Sequence, residues 1–263
     1  MSTRRRGLAA ASNNGCIYVV GGFDGGQYLA SMEVYDPALE IWRQGPSMST
    51  PRCFAGAAFV GGKLYVVGGY FENKNLASGE VFDPQTGKWS PMPPMVVPRR
   101  GLCVASFCGR LFAGGGWDGA QNLQTTEFFD AKTQAWQPGP NMLVPRCSAA
   151  CAVSGTRLIV CGGWDGSACL NSVEVLDAAG GGWMHAQSML SPRSYGTAVP
   201  LLNFCVVLGG WDGVGSARLK SGECIEVEAL PSSREPRGKG GSGGWTGLPH
   251  MTSARYGCAA AVV

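Results

Sequence analysis

Few side chains in this sequence have the types and spacing that site chemistry requires. The chain has two histidines, His185 and His250, which fall in different parts of it. Zinc, copper and iron sites need three or four clustered ligands, and two separated histidines do not supply them. No nucleophile-elbow or phosphate-loop pattern occurs, because the glycine pairs end predicted strands without opening helices. We therefore expect no catalytic residues, no metal, no cofactor and no enzyme activity.

The eleven cysteines invite a disulfide or metal interpretation. Their count is odd and no Cys-x-x-Cys pair occurs. Several stand where other parts of the chain carry Ala, Val or Leu, as Cys205 does opposite Leu64. We interpret them as reduced, small apolar core residues. This use of cysteine predicts a cytoplasmic or nuclear protein, and we expect cytoplasmic localisation.

A paired glycine recurs every 47 residues along the chain. The pairs are Gly21-Gly22, Gly68-Gly69, Gly115-Gly116, Gly162-Gly163 and Gly209-Gly210. Arginine, glutamate, aspartate, tryptophan and methionine columns keep the same spacing, for example Arg52, Arg99, Arg146 and Arg193. A fixed period of this length is typical of an array of one supersecondary unit.

Composition and charge exclude several classes of protein. Charged residues make up 15% of the chain and the formal net charge is only +3. A charge so small and scattered does not predict a nucleic-acid surface. No apolar run reaches the ~18 residues of a membrane span, and the amino terminus lacks the apolar stretch of a secretory signal. We expect neither a nucleic-acid nor a membrane partner.

Each repeat reads as four short strands, here named a to d. In residues 51–95 an apolar run ends at a Gly61-Gly62 turn, and a dense β-branched run then leads to the glycine pair. A polar loop, a short strand before Asp83-Pro84 and a last strand around Trp89 follow. Such a sheet cannot cover both of its faces, so copies must stack. Four strands in about 45–50 residues is typical of a propeller blade.

Two columns predict contacts that hold the blades. We expect each periodic arginine to pair with a glutamate near the blade ends, an arrangement that often sets register more than stability. Five tryptophans fall in the strand-d column, and we expect them to pack between neighbouring blades. They are Trp42, Trp89, Trp136, Trp183 and Trp245.

The motifs resemble the kelch repeat. The first two copies read GGFDG…EVYDP…W (21 to 42) and GGYFE…EVFDP…W (68 to 89), and the next two read GGWDG…EFFDA…W and GGWDG…EVLDA…W. With Pro-Arg opening four repeats, the sequence is most similar to the propeller domain of kelch-like (BTB-kelch) substrate adaptors. The resemblance implies an all-β, kelch-type β-propeller over residues 1–263. It has five four-stranded blade equivalents in repeats at about 5–48, 51–95, 98–142, 145–189 and 192–251.

A sixth copy of strand a alone occupies 253–263. One alternative is that this terminal strand closes the ring by pairing with the strand at Cys16–Val20. The other is an incomplete six-bladed ring, without three strands and any upstream domain such as a BTB or F-box segment. The sequence leaves this choice open.

The fifth repeat carries an insertion. Trp164 and Trp183 are 19 residues apart, whereas Trp211 and Trp245 are 34 apart. Most of the excess lies in a Gly-, Ser- and Pro-rich stretch, residues 229–244. We interpret it as a tolerated surface loop joining strands c and d, with a regulatory or partner-binding loop as the alternative.

Strand parity brings two sets of residues to one face of the ring. Loops b–c carry Phe23, Tyr70, Trp117, Trp164 and Trp211; loops d–a carry Arg6, Cys53, Arg100, Cys147, Ser194 and Tyr256. We call these eleven residues the rim set. In kelch-like proteins the matching positions grip a short peptide of the partner, and the resemblance implies the same role here. Cys53 and Cys147 depart from the Ser or Arg common there. The aspartates of the Asp-Gly pairs are expected to form turns.

These residues predict a protein–protein interaction module, as in the substrate-recognition subunits of ubiquitin ligases. We expect the partner to present a short and acidic peptide, and ligase components would attach through a further domain. An actin- or cytoskeleton-binding kelch protein is the alternative, and a kelch-fold metalloenzyme is disfavoured by the absence of clustered ligands. The identity of the partner is not determined by the sequence, because rim loops vary independently of the scaffold.

Overall fold

The chain folds as an all-β protein. The computed structural model describes residues 1–215, 217–232 and 243–262. Within those ranges the only helical turn is a 3₁₀ turn at Val227–Ala229. Five antiparallel sheets contain four strands each, and a small two-stranded hairpin completes the set. The predicted fold class is therefore confirmed.

Each blade follows the predicted order a-b-c-d. Blade 1 contains β1 (Ala9–Asn13), β2 (Cys16–Val20), β3 (Met32–Asp36) and β4 (Ile41–Gly45). Blade 2 contains β5 (Gly56–Val60), β6 (Lys63–Val67), β9 (Gly79–Asp83) and β10 (Lys88–Met92), with the hairpin β7 (Tyr70–Phe71) and β8 (Lys74–Asn75) in its b–c loop. Blade 3 contains β11 (Cys103–Phe107), β12 (Arg110–Gly114), β13 (Thr126–Asp130) and β14 (Ala135–Pro138). Blade 4 contains β15 (Ala150–Ser154), β16 (Arg157–Cys161), β17 (Val173–Asp177) and β18 (Trp183–Ala186). Blade 5 contains β19 (Thr197–Leu201), β20 (Phe204–Leu208), β21 (Gly222–Glu226) and β22 (Thr246–Leu248).

The cores lie between blades. Strand b is buried on both faces, as Leu64 and Tyr65 show at 0% and 5% exposure. Leu64 packs on blade 1 together with Val20 and Met32, whereas Tyr65 packs on blade 3. Successive strand residues point to opposite faces, so one apolar run supplies two interfaces.

Four of the five strand-d tryptophans join neighbouring blades, as predicted, whereas the ring contact of Trp42 among the described residues is with Tyr35 of its own blade. The Nε1 atoms of Trp89, Trp136 and Trp183 donate hydrogen bonds of 2.9 Å to Pro46, Pro93 and Pro140 of the preceding blade. Trp245 Nε1 donates to the Gln187 carbonyl at 2.8 Å. Each of these four indoles thus fills an apolar interface and satisfies its single donor there.

The predicted arginine–glutamate pairs are present in all five blades. The Nη2–Oε1 distances are 2.9, 3.3, 3.0, 2.6 and 2.6 Å for Arg5–Glu33, Arg52–Glu80, Arg99–Glu127, Arg146–Glu174 and Arg193–Glu223. Arg193 also donates to the Gly209 and Ser221 carbonyls. Its carboxylate partner Glu223 accepts the backbone N–H groups of Leu190 and Ser191. Each pair therefore ties the incoming d–a loop to strands b and c of its own blade.

Six backbone hydrogen bonds close a ring around the channel axis. Around the ring, the N–H of each residue donates to the carbonyl of the next residue in the order Gly7, Gly257, Tyr195, Ser148, Gly101 and Phe54. The N–H of Phe54 donates to the Gly7 carbonyl and completes the ring. All six have φ between 53° and 60°. Five members precede strand a of a blade, and the sixth, Gly257, belongs to residues 257–262, which we call the terminal segment. The ring thus has six positions, and the described residues supply four strands at five of them and one segment at the sixth.

This arrangement decides the question of closure. The prediction of a terminal strand at 253–263 is wrong for the described residues 253–262, which form no strand. The predicted alternative in which this segment pairs with Cys16–Val20 is also wrong, because β2 is hydrogen-bonded to β1 and β3 on its two edges. β1 is the inner strand of blade 1, and the terminal segment lines the channel between β19 and β1.

The insertion is only partly as predicted. Leu230 is 1% exposed and packs in the core between blades 4 and 5, and Ser232 Oγ donates to Asp177 Oδ2 at 2.8 Å. The prediction of a surface loop is therefore wrong at the start of 229–244, because an apolar side chain there finds a core to enter. Residues 233–242 lie outside the described residues.

All eleven cysteines are free thiols, and Cys103, Cys161 and Cys205 are buried as apolar core residues. No helix among the described residues has the length and hydropathy needed to cross a membrane.

Candidate functional site

The two halves of the rim set meet on one face of the propeller, as strand parity predicts. Five of the six d–a residues form a backbone bridge with the aromatic residue of their own blade, and Tyr256 has no such bridge among the described residues. The bridged pairs are Arg6–Phe23, Cys53–Tyr70, Arg100–Trp117, Cys147–Trp164 and Ser194–Trp211. In blade 3 the Trp117 N–H donates to the Arg100 carbonyl at 2.9 Å, and the Trp117 carbonyl accepts the return bond at 3.1 Å. The glycine pair lets the chain turn here, since a Cβ on Gly116 would lie 2.9 Å from the Arg100 carbonyl oxygen.

The rim set is not uniformly accessible. The five aromatic residues after the glycine pairs are half-buried, Arg6 and Tyr256 are exposed, and Arg100 and Cys147 are half-buried. Ser194 is fully buried, and its Oγ accepts a hydrogen bond from Cys169 Sγ at 3.2 Å. Burial alone does not decide the predicted partner contact of Ser194, since Cys53 is almost as buried, at 2% exposure, and still lies in a cavity wall, so this contact stays a prediction.

Two adjoining cavities open on this face. The smaller, of about 180 Å³, has Arg6, Cys53, Tyr70, Arg100 and Tyr256 in its wall. The larger, of about 410 Å³, is lined by Arg100 with Trp117, Cys147 and Trp164, among others. Arg100 and Phe54 belong to both walls. Arg100 thus stands on the boundary between two aromatic-walled depressions.

The arginines of the rim are held by rings rather than by carboxylates. The Arg100 guanidinium carbon lies 4.8 Å from the Tyr70 ring centroid, and that of Arg6 lies 5.0 Å from Phe23. Neither guanidinium has a carboxylate within 4.0 Å in the described part of the chain. Cation–π contacts position a guanidinium while leaving its N–H groups available. Within the rim set, Arg6 and Arg100 are therefore oriented positive charges without a carboxylate partner among the described residues.

The rim aspartates form turns, as expected. Asp118 Oδ1 accepts the backbone N–H groups of Ala120 and Gln121 at 2.7 and 2.8 Å, and Asp165 Oδ1 accepts those of Ser167 and Ala168. These backbone hydrogen bonds lower the pKa of both carboxyl groups. Hydrogen bonds to the charged form favour that form. The aspartates are thus ionised, and they do not line either cavity.

The two rim cysteines are not activated thiols. Burial raises the pKa of Cys53 to about 11, and burial likewise raises the pKa of Cys147. A thiol with a raised pKa is a poor nucleophile and a poor metal ligand at neutral pH. No group of three or more His, Cys, Asp or Glu side chains within the described ranges is placed to hold a metal ion. Cys53 and Cys147 therefore contribute the shape and polarity of the cavity walls.

Two features of the site escaped the sequence analysis. Phe54 and Tyr195 follow the d–a column by one position and extend over the channel, where their ring centroids are 5.9 Å apart. A further column, Tyr28, Asn75, Asn122 and Cys169, lies five residues beyond the aromatic residue that follows each of the first four glycine pairs. All four members bridge back to that aromatic, Asn75 through the β7–β8 hairpin. Its constant offset of five was the available signal.

Asn122 is of special interest in that column. Its Oδ1 atom is buried and has no hydrogen-bond partner among the described residues, and Asn122 lines the larger cavity. A buried acceptor without a partner costs stability unless something satisfies it. Asn122 therefore offers a ready acceptor to a ligand N–H.

The fold and this face define a β-propeller built from kelch repeats. The Kelch motif model matches residues 4–49, 51–96, 98–143 and 145–190. These matches cover well over half of the chain, so it belongs to the kelch family.

One similar solved structure is titled "Structure of YjhT". It aligns with a TM-score of 0.82 over 99% of this chain and 88% of that chain, at 16% sequence identity. At that identity the likeness shows the fold. Among curated proteins, no sequence gives a significant match.

Proposed function

We propose that this propeller is a protein-interaction module that binds a short acidic peptide of a partner protein across the two rim cavities. The observation that carries the proposal is the position of Arg100 on the boundary of both cavities, with its guanidinium stacked on Tyr70 and free of any carboxylate among the described residues. A partner carboxylate at this point would receive charge-assisted hydrogen bonds. The adjoining cavities would take the apolar side chains on either side of it.

The aromatic walls support the proposal. Trp164 and Trp211 are stacked with ring centroids 6.1 Å apart and an interplanar angle of 24°. Trp164 also faces the larger cavity together with Trp117. Half-buried tryptophans and arginines in a concave surface are typical anchors of binding energy. The Asn122 Oδ1 acceptor would bind a backbone N–H of an extended peptide.

Charge distinguishes an acidic from a basic ligand. Arg6 and Arg100 line the cavities, whereas Asp118 and Asp165 are held in turns and are in neither cavity wall. An acidic segment thus meets positive charge where it would be most buried. The likeness to kelch-like adaptors extends the proposal to substrate recognition in a cytoplasmic ubiquitin ligase, whose other components would bind elsewhere.

The test is a fluorescence-anisotropy screen of acidic peptides, each with one carboxylate between two apolar residues. We expect the best peptide to bind more weakly as salt rises, because charges are screened over about 8–10 Å. Trp164→Ala should cost about 2 kcal/mol, and Arg100→Ala about 1–2 kcal/mol with a flatter salt dependence.

Two matched variants on the opposite face serve as controls. Arg110→Ala removes an exposed arginine and Leu202→Ala an exposed apolar residue, and neither should change affinity. Binding that is undiminished in both Trp164→Ala and Arg100→Ala would refute the rim proposal. Co-sedimentation with filamentous actin that survives both variants would instead favour a cytoskeletal role on another surface.

A further inference from the structure

The smaller rim cavity, of about 180 Å³, has an arginine from each of two blades in its wall. Arg6 belongs to blade 1 and Arg100 to blade 3. Each guanidinium stacks on a ring that lines the same cavity, Phe23 for Arg6 and Tyr70 for Arg100. Such a ring contact positions the guanidinium and leaves its N–H donors available to an anion. Two sets of donors on one small cavity can serve an anion that carries more than one charge.

Cys53 of blade 2 occupies the matching place between the two arginines in the order of the blades. Its side chain is 2% exposed, and its Sγ atom lies 3.8 Å from the Arg6 carbonyl oxygen. Burial raises the pKa of this thiol to about 11, although the positive charges of Arg6 and Arg100 both act to lower it. The thiol is therefore uncharged at neutral pH, and both guanidinium charges act on the same point. The small side chain of Cys53 leaves the space between them open.

No carboxylate among the described residues neutralises this pair of charges in the cavity wall. The residue after the rim aromatic is an aspartate in blades 1, 3, 4 and 5, but in blade 2 it is Phe71. The Phe71 ring contacts Tyr28, with centroids 5.8 Å apart. The one acid of that loop is Glu72, which is exposed in the turn of the β7–β8 hairpin, two residues before the exposed Lys74. The column of rim aspartates is thus interrupted at the blade that lies between the two arginines.

A phosphate monoester matches these two donor groups better than a carboxylate does. It carries about −1.5 to −2 charge at pH 7 and has three strong acceptor oxygens, whereas a carboxylate has one charge and two oxygens. Arginine binds phosphate through two parallel N–H···O hydrogen bonds. A phosphate can therefore engage Arg6 and Arg100 together, whereas a carboxylate that is paired with one of them leaves the other charge unmatched.

We propose that the acidic group recognised at the boundary of the two cavities is a phosphorylated serine or threonine of the partner, so that phosphorylation of the partner strengthens binding. This inference rests on the proposed function and specifies the chemistry of its central residue. The phosphate would lie between Arg6 and Arg100. The peptide would continue over the larger cavity, where Trp164 and the unpaired Oδ1 atom of Asn122 lie. That continuation favours a phosphorylated peptide over a free phosphate ion.

The probes are the acidic peptides of the anisotropy screen described above, each made in three forms with aspartate, serine or phosphoserine at the central position. Affinity is measured for the full chain and for its variants Arg6→Gln, Arg100→Gln and Arg110→Gln. Arg6 is exposed, so its replacement spares the core. Arg110 is the matched control, because it is also an exposed arginine stacked on a ring, with its guanidinium carbon 4.7 Å from the Phe128 centroid, but on the opposite face.

We expect the phosphoserine form to bind about tenfold more tightly than the aspartate form, and the serine form to bind most weakly. Arg6→Gln should bring the phosphoserine form to the affinity of the aspartate form, while it changes the affinity of the aspartate form less than about twofold. Arg100→Gln should weaken binding of both forms, because Arg100 receives the acidic group in either case. Arg110→Gln should bind all three forms like the wild type.

The pH dependence separates a phosphate from a carboxylate. The second pKa of a phosphoserine is about 6, so lowering the pH from 7.5 to 5.5 should weaken the phosphoserine form about fourfold and leave the aspartate form unchanged. The charged and titratable groups that face the smaller cavity are Arg6, Arg100, Cys53, Tyr28, Tyr70 and Tyr256, with Arg218 stacked on Tyr256. None of these groups is a histidine or a carboxylic acid, and Asp24 and Glu72 of the flanking loops lie outside the wall.

Equal affinity for the phosphoserine and aspartate forms would overturn the inference, as would a phosphoserine preference that persists in Arg6→Gln. Aspartate peptides that still depend on Trp164 and Arg100 would then leave the proposed function standing. Failure of all three forms to bind would overturn both the inference and the proposed function. Displacement of the phosphoserine peptide by micromolar inorganic phosphate would also overturn the inference, since it would show a site for the free ion rather than for a peptide.

Discussion

The rings of Phe54 and Tyr195 meet over the channel although they belong to blades 2 and 5, on opposite sides of the six-position ring. Their centroids are 5.9 Å apart, with an interplanar angle of 59°. Both residues have left-handed backbone conformations, with φ of 56° and 57°. The neighbouring ring positions carry Gly7, Gly101, Ser148 and Gly257, which leave room for the two aromatic side chains. The channel is thus covered by one aromatic pair held in a strained backbone conformation.

This pair yields a comparison of two variants at one position. Phe54→Ala loses the ring contact and keeps the left-handed strain, whereas Phe54→Gly loses the contact and relieves the strain. The strain is about 1 kcal/mol and the ring pair contributes about 0.5–1.5 kcal/mol. We expect urea denaturation to show Phe54→Gly more stable than Phe54→Ala by about 1 kcal/mol. Equal stabilities would mean that the backbone conformation of Phe54 is not strained.

The arginine column should be needed for folding stability. Arg52 is 1% exposed and donates to the Gly68 and Ser78 carbonyls as well as to Glu80. Arg52→Ala would leave Glu80 buried without its cation, at a cost of about 3–5 kcal/mol in the free energy of unfolding. Arg110→Ala, at an exposed site, should stay within about 1 kcal/mol of the wild type. A loss for Arg52→Ala no larger than that control would show that the pair only sets register.

The glycine pairs should tolerate no side chain. Gly68 has φ +69°, and a Cβ there would lie 2.6 Å from the Arg99 carbonyl oxygen. Gly61 has φ +57° but nothing within 4 Å of its Cβ position. Gly61→Ala should therefore cost about 1–2 kcal/mol from backbone strain alone, and Gly68→Ala distinctly more. Similar melting temperatures for the two variants would show that the backbone at Gly68 can shift.

Leu230 should contribute to the core despite its place in the insertion. It is 1% exposed, so Leu230→Ala is expected to cost about 2–4 kcal/mol. Leu202→Ala, at 88% exposure, should cost less than about 0.5 kcal/mol. Replacing all of 229–244 with a short turn should lower the melting temperature, whereas a replacement that retains Leu230 should preserve it. An unchanged melting temperature without Leu230 would contradict its burial.

Cys53 should make stability sensitive to alkaline pH. Burial raises the pKa of its thiol from 9.0 to about 11. Because the folded state favours the protonated thiol, the contribution to stability is full below pH 9 and is lost as the pH rises toward 11. Between pH 8 and 11 the wild type should lose about 2 kcal/mol more free energy of unfolding than Cys53→Ala. Parallel pH profiles of the two proteins would show that the thiol is not desolvated.

Much of the fold could be read from the period. Because one 47-residue unit is repeated, the phase of Arg52 and Glu80 predicted four of the buried pairs, and the fifth uses Glu223, which the longer b–c loop of blade 5 displaces from that phase by two residues. The tryptophan column predicted the blade contacts of Trp89, Trp136, Trp183 and Trp245, since a large side chain at a fixed place in a stacked unit meets the neighbouring unit. Strand parity alone predicted that the aromatic and d–a columns share a face. Local pattern sufficed wherever a contact lies within one blade or between adjacent blades.

The relations that span the ring could not be predicted in this way. The pairing of Phe54 with Tyr195, the burial of Ser194 and the place of the terminal segment depend on how many positions surround the axis. The number of positions follows from the angle between packed sheets. This angle accumulates around the ring, and no single residue in the sequence indicates it. Leu230 shows the same limit on a smaller scale. Its surroundings in the sequence are rich in Gly, Ser and Pro and predict a loop, and only the tertiary structure shows that a core lies beside this leucine. The repeat pattern was enough to predict the blade and its contacts, whereas closure around the axis decided what meets across the channel and where the terminal segment lies.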